Sequence, residues 1–148
     1  MPNYPLTWVV VADSGRCRIF SLAADNAALE ELQDAVNPAA RLHESDITGD
    51  RPGMAFDKKA QGRHAMPGKQ SAKAHAADAF AQTLATALND AQLAGSYERL
   101  VLFAPPHFLG SLRSHLSPAV ASRVKASVDV DITRETAPQI RERLRKLL

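Results

Sequence analysis

Residues 8–22, WVVVADSGRCRIFSL, decide how the N-terminal part of the chain folds. A β-rich run ends at Asp13-Ser14-Gly15, and a second run follows in which Cys17 alternates with its flanking arginines. Two β-rich runs joined by turn-forming residues are typical of an antiparallel hairpin. The next segment, ALEELQDAVNP at residues 28–38, has both helical and extended features, and we predict a third strand.

In the middle of the chain, a stretch without regular spacing of apolar residues is followed by one with strong helical spacing. Residues 41–70 contain four of the seven glycines together with two prolines, which predicts a long loop. From about residue 71 to 94 the chain is rich in alanine, and Phe80, Leu84, Leu88 and Ala91 recur at helical spacing. We therefore predict a helix that ends at Gly95.

The C-terminal part alternates strands and helices. The apolar run LVLFA at residues 100–104 predicts a strand buried on both faces and central in the sheet, and HFLGSLRSHL predicts a helix that Pro118 breaks or restarts. KASVDVDI at 125–132 alternates as a half-exposed strand, and Thr136 with Gln139 predicts a capping box for a last helix. We predict one α/β domain over residues 1–148, with an N-terminal antiparallel meander in a mixed sheet and crossover helices packed on it.

Composition predicts an ordinary soluble protein. The 148 residues are 45% apolar and 23% charged, with a net charge of +2. One cysteine, no basic leader and no apolar run of membrane-spanning length predict a cytoplasmic protein without a membrane partner. Cys17 is either a small buried side chain or a thiol activated by Arg16 and Arg18.

Positive charge concentrates just before the predicted helix. Residues 57–73 hold one acidic and five basic side chains, with His64 and His75 nearby. We predict that the basic side chains contact a polyanion; an ordinary solvated loop is the alternative reading. Because the segment has almost no aromatic residues, contact with an RNA backbone is expected rather than base stacking. The predicted polyanion-binding residues are Lys58, Lys59, Arg63, Lys69 and Lys73.

Motifs for metal, cofactor or nucleophilic chemistry are missing from the sequence. There is no H-E-x-x-H, paired C-x-x-C, Walker loop or G-x-S-x-G, so we predict no cofactor and no metal. Asp129 and Asp131, two apart on the predicted half-exposed strand, are the weak candidates for holding a divalent cation. Their alternative role is to solvate that face.

Several stretches together resemble the host-attachment protein family, whose members are described as required for attachment to host cells. These are TWVVVADSGRCRIF, DRPG, AADAFAQTLATAL, RLVLFAPPHFLGSLRSHLSP and VDVDIT, and the resemblance extends over nearly the whole chain. That family in turn resembles the middle domain of eukaryotic and archaeal release factors and of Pelota. The resemblance implies a ribonuclease H-like, release-factor-middle-domain-like sheet.

Release factors carry Gly-Gly-Gln at the end of a loop before a long helix, and Gly68-Lys69-Gln70 stands in the similar place here. The resemblance makes Gln70 a weak candidate for ester hydrolysis, although Lys69 replaces a glycine and restricts close approach. We therefore favour a non-catalytic module that contacts the ribosome or tRNA. The alternatives are a peptidyl-tRNA ester hydrolase and a protein-interaction adaptor in host attachment; the oligomeric state stays open.

Overall fold

A computed structural model of the chain describes residues 4–38 and 51–148, with side chains described at 4–38 and 72–148. Within these ranges the elements are β1 (Thr7–Ala12), β2 (Arg16–Leu22), β3 (Glu30–Val36), α1 (Arg51–Leu93), β4 (Arg99–Phe103), α2 (Pro106–His115), α3 (Pro118–Ala121), β5 (Val124–Val128) and α4 (Ala137–Arg145). The strand that we predicted within residues 28–38 is confirmed as β3.

The strands form one five-stranded mixed sheet in the order β3-β2-β1-β4-β5. β1, β2 and β3 make an antiparallel meander, whereas β4 pairs in parallel with β1 and with β5. The predicted single α/β domain with a mixed sheet is therefore confirmed. The central strand is β1 rather than the predicted LVLFA strand, β4, because a continuous apolar run marks any strand covered on both faces and not the middle one alone.

The β1–β2 hairpin closes through its Asp13 turn. The Asp13 carboxylate oxygen Oδ1 accepts hydrogen bonds from the backbone N–H groups of Gly15 and Arg16, each at 2.8 Å. The Asp13 N–H donates to the Arg16 carbonyl at 2.9 Å. This local satisfaction of backbone groups by an aspartate is the reason such residues favour turns, and the predicted hairpin is confirmed.

The helix α1 begins at Arg51, so our prediction of a loop over residues 51–70 was wrong. Residues 41–50 lie outside the described residues. Pro52 falls in the first turn, where the N–H that proline lacks has no helical partner in any case. Alanine, lysine, methionine and glutamine between residues 54 and 70 all favour a helix, and together they outweigh the glycines and Pro67 that predicted a loop.

The C-terminal end of α1 is fixed by Gly95, as predicted. Gly95 has a φ of +75°, which side-chain-bearing residues rarely adopt. The Gly95 N–H donates to the Gln92 carbonyl at 3.0 Å, and the Ser96 N–H donates to the Ala91 carbonyl at 2.9 Å. These two bonds form a Schellman motif, which stops the helix and turns the chain into β4.

Helices cover both faces of the sheet. On one face α1, α2 and α3 cover a core that we call the α1-side core; on the other, α4 covers the α4-side core. The α1-side core contains Val10, Ala12, Cys17, Ile19, Ala81, Leu84, Ala85, Leu88, Tyr97, Leu100, Leu102, Ala104, Phe108, Leu109, Leu112 and Val120. The α4-side core contains Val9, Val11, Phe20, Leu22, Leu29, Val101, Phe103, Ile132, Ile140 and Leu144.

The last strand is shorter than the alternating pattern predicts. β5 ends at Val128, although Val130 and Ile132 still pack against the α4-side core. Alternation reports which side chains are buried, but it does not require that the backbone stay hydrogen-bonded in the sheet. The capping box of α4 is confirmed, because the Gln139 N–H donates to Thr136 Oγ1 and the Thr136 N–H donates to Gln139 Oε1.

Candidate functional site

The predicted polyanion-binding residues belong to α1. Lys58, Lys59, Arg63 and Lys69 lie in its N-terminal half, at positions whose side chains are outside the described residues. Lys73 lies on the same helix, and its side chain is exposed. A helix rather than a loop therefore carries all five positions.

Gln70 also lies inside α1, well after its first residue. We expected Gly68-Lys69-Gln70 at the end of a loop, as in release factors, and the helix replaces that loop. The side chain of Gln70 is outside the described residues. In a helix interior the backbone N–H and C=O groups bond to one another. The backbone of an open glycine loop, by contrast, is free to approach a substrate.

The aspartates that we considered for a cation do not share a strand face. Asp129 and Asp131 both follow β5, so the strand geometry that we predicted for them was wrong. Asp131 Oδ1 instead accepts hydrogen bonds from the Thr133 N–H at 3.1 Å and from Thr133 Oγ1 at 2.8 Å. Among the described residues, no group of three or more histidine, cysteine, aspartate or glutamate side chains is placed to hold a metal ion.

A cleft of about 340 Å³ lies where β1 ends and the segment after β5 begins. It is lined by Asp13, Asp131, Ile132, Thr133, Arg134 and Glu135. All three carboxylates in it have partners within the fold, since Asp13 holds the hairpin turn, Asp131 holds Thr133, and Glu135 binds Arg143. We therefore interpret this cleft as a structural junction.

A buried arginine, Arg18, joins that junction to the sheet. The side chain of Arg18 donates to both carboxylate oxygens of Glu31, at 2.9 and 3.1 Å. It also donates to the Thr133 carbonyl at 3.0 Å and to the Glu135 carbonyl at 2.7 Å, and it stacks on the Phe20 ring at 4.9 Å. The guanidinium thereby ties the β2–β3 pair to the segment between β5 and α4.

Two further ion pairs, both exposed, stabilise the β2–β3 pair and the segment before α4. Arg16 donates two hydrogen bonds to Asp34, at 2.8 and 2.6 Å, and these lower the pKa of the Asp34 carboxyl. Arg143 likewise binds Glu135 through two hydrogen bonds, which lower the pKa of Glu135. Sequence reasoning missed these partners because each pair joins two different elements, 18 residues apart for Arg16 and Asp34 and 8 apart for Arg143 and Glu135.

The cysteine Cys17 lies in the α1-side core with 3% of its surface exposed. Burial raises the pKa of its thiol from an ordinary value near 9 to about 12. The two flanking arginines therefore do not activate it, and of our two readings the small buried side chain is the one the geometry supports.

We expect Cys17 of the folded protein to react with a disulfide reagent at pH 8 about a hundredfold more slowly than the urea-unfolded chain does. Because the neutral thiol is favoured in the folded state, its contribution to stability is complete below pH 9 and is lost as the pH rises toward 12. Thiol release monitored by absorbance checks the rate. Equal rates in buffer and in urea would contradict the burial of Cys17.

Within the described ranges, no helix is both long enough and apolar enough to cross a membrane. A family model described as "Protein required for attachment to host cells" matches residues 8–144. A comparison with curated proteins found no match.

Proposed function

The chain belongs to the family of proteins required for attachment to host cells, and from that premise we propose that it is a non-catalytic cytoplasmic module that binds RNA backbone through α1. The proposed contact residues are Lys58, Lys59, Arg63, Lys69 and Lys73, which we call the basic segment. The ribosome or tRNA is the proposed source of the RNA.

The observation that carries this proposal is the spacing of the basic segment along a helix. At 100° per residue, positions 58, 59, 63, 69 and 73 fall within an arc of about 140°. Position 57, the one acidic residue of residues 57–73, falls outside that arc. A helix with cations concentrated along one stripe is suited to follow a phosphate backbone.

The dimensions of the basic segment favour a polymer over a single small anion. From position 58 to position 73 the helix rises about 22 Å, which spans several successive phosphate groups. Since the segment lacks aromatic side chains other than the nearby Phe56, the proposed contacts are to phosphates and carry little base preference.

The link to translation is proposed from the resemblance to the release-factor middle domain that the sequence motifs imply. A mixed five-stranded sheet, here in the order β3-β2-β1-β4-β5, is the coarser feature that such a fold would share. We infer that the protein influences host attachment indirectly, through RNA or the ribosome. We do not favour the hydrolase alternative, because Gln70 lies within a helix rather than on a loop.

The test is co-sedimentation with ribosomes at low and high salt. We expect the native protein to pellet with ribosomes at low salt and to leave them at high salt. A variant with Lys58, Lys59, Arg63 and Lys69 all changed to glutamine should stay in the supernatant. Glutamine is a good helix former, so the change removes charge with little effect on α1.

A matched variant controls for total charge. Arg113, Arg134, Arg145 and Lys146 are exposed outside the basic segment, and changing all four to glutamine removes the same charge. We expect this control to pellet like the native protein. Equal pelleting of the two quadruple variants, or salt-insensitive pelleting, would refute the proposal and direct the search to a protein partner, consistent with the adaptor alternative.

A further inference from the structure

A second cleft, of about 480 Å³, lies at the amino ends of β4 and β5. It is lined by Pro5, Glu98, Arg99, Ser122, Arg123, Val124 and Lys125. The Schellman turn that ends α1 leads directly into this edge of the sheet. Lys73, the nearest residue of the basic segment, lies about 30 Å along the helix from its last residue, Leu93. The two positive regions are therefore separate.

The charge of this cleft is unbalanced. It contains three cations, Arg99, Arg123 and Lys125, and among the described residues none of them has a carboxylate within 4 Å. The single carboxylate in the lining, Glu98, accepts a hydrogen bond from the Leu6 N–H at 2.9 Å. The cleft thus retains positive charge that an anion would neutralise.

Arg99 and Arg123 are held in position by their neighbours, and each keeps N–H groups that make no hydrogen bond within the described part of the chain. Arg99 stacks on the Tyr4 ring at 5.0 Å, and its Nε donates to Thr7 Oγ1 at 2.9 Å. Arg123 Nη1 donates a long hydrogen bond, of 3.4 Å, to the Glu98 carbonyl. The buried Nε of Arg123 has no hydrogen-bond partner within the described part of the chain. Because this Nε is closed off from solvent, the N–H groups that Arg123 can offer to a ligand in the cleft are those of its Nη atoms.

The lysine enters the cleft at an irregularity of the sheet. Pairing between β4 and β5 steps from Leu100 opposite Val124 to Val101 opposite Ala126, so Lys125 is an extra residue on β5. Such a bulge redirects a side chain and is frequent beside binding sites. Lys125 is exposed at this point.

We propose that this cleft binds a phosphate group, the dianion of a phosphate monoester, through Arg99, Arg123 and Lys125. Arginine forks match phosphate oxygens, and charge-assisted hydrogen bonds of this kind are strong. Among the side chains that the structure describes, none that lines the cleft is aromatic and able to stack on a base, so recognition is of the phosphate itself. The site is distinct from the basic segment and needs no contribution from it.

The test is calorimetric titration with inorganic phosphate and with glycerol phosphate at constant ionic strength. We expect the native protein to bind both, and Arg123→Gln and Lys125→Gln each to bind about tenfold more weakly. Arg134→Gln removes one exposed charge at the other end of the sheet and should bind like the native protein. The quadruple basic-segment variant should also bind phosphate normally, which separates this proposal from the RNA proposal.

Binding of single-stranded RNA with and without a 5′-phosphate shows whether the bound phosphate belongs to an RNA terminus or to a small molecule. A preference for the phosphorylated end that Lys125→Gln removes points to an RNA terminus, whereas no preference points to a small phosphate monoester. Each variant is first checked by circular dichroism, and if Arg123→Gln does not fold, exposed Lys125 decides the outcome. No phosphate binding by the native protein would overturn the proposal, as would equal weakening by Arg134→Gln or loss of binding in the quadruple variant.

Discussion

Replacing Arg18 with alanine is expected to lower the free energy of unfolding by about 3 kcal/mol. Arg18 is only 8% exposed, and its guanidinium is bonded to Glu31 and to the Thr133 and Glu135 carbonyls. Its removal deprives Glu31 and the Glu135 carbonyl of this donor. Among the hydrogen bonds between described residues, only the longer one from Arg16 to the Thr133 carbonyl, at 3.4 Å, then joins β2 to the segment before α4. Because Glu31 keeps some contact with water, we expect a loss near the low end for buried pairs.

Urea unfolding followed by circular dichroism measures this loss. Arg145→Ala is the matched control, since Arg145 faces Glu142 at 3.3 Å in a pair that is largely exposed. That control should change stability by less than about 0.5 kcal/mol. Arg18→Lys keeps the charge without the planar fork, so an intermediate loss is expected. A loss for Arg18→Ala no greater than that of the control would show that the buried network does not hold the domain together.

Replacing Leu88 with alanine is expected to cost about 3 kcal/mol of stability. Leu88 is fully buried in the α1-side core, so truncation leaves a cavity between α1 and the sheet. The Leu88 carbonyl also accepts a 2.8 Å hydrogen bond from the Tyr97 hydroxyl, which anchors α1 to the turn before β4. The backbone bond survives the substitution, and the expected loss is therefore one of packing.

The same helix supplies the control for Leu88. Leu93 is 81% exposed, and the same truncation there should change stability by less than about 0.5 kcal/mol. Both variants are measured by urea unfolding under identical conditions. If Leu88→Ala and Leu93→Ala were equally mild, α1 would not be packed on the sheet in the register described above.

Local patterns in the sequence predicted much of this fold. The Asp13 turn, the Gly95 helix stop and the Thr136 capping box each depend on a few neighbouring residues whose hydrogen bonds satisfy the local backbone. Such features are visible in sequence because all of their partners are close together in the chain.

The features that sequence reasoning missed depend on the summed helix propensity of many residues or on contacts between residues that are distant in the chain. The N-terminal half of α1 was mistaken for a loop because single glycines and prolines were weighed above many residues of good helix propensity. The end of β5 was missed because Ile132 stays buried after the backbone leaves the sheet. Arg18 binds Glu31 of β3 and the backbone of the segment before α4. The residues next to Arg18 in the sequence do not predict these contacts.

The most direct test of RNA binding by the basic segment is the salt dependence of that binding. Fluorescence anisotropy of labelled single-stranded RNA, titrated at several salt concentrations, gives the slope of log affinity against log salt. We predict that the Lys58, Lys59, Arg63 and Lys69 glutamine variant has a slope about 3 less steep than the native protein. The control quadruple variant should keep the native slope. Identical slopes for the native protein and the basic-segment variant would contradict binding through α1.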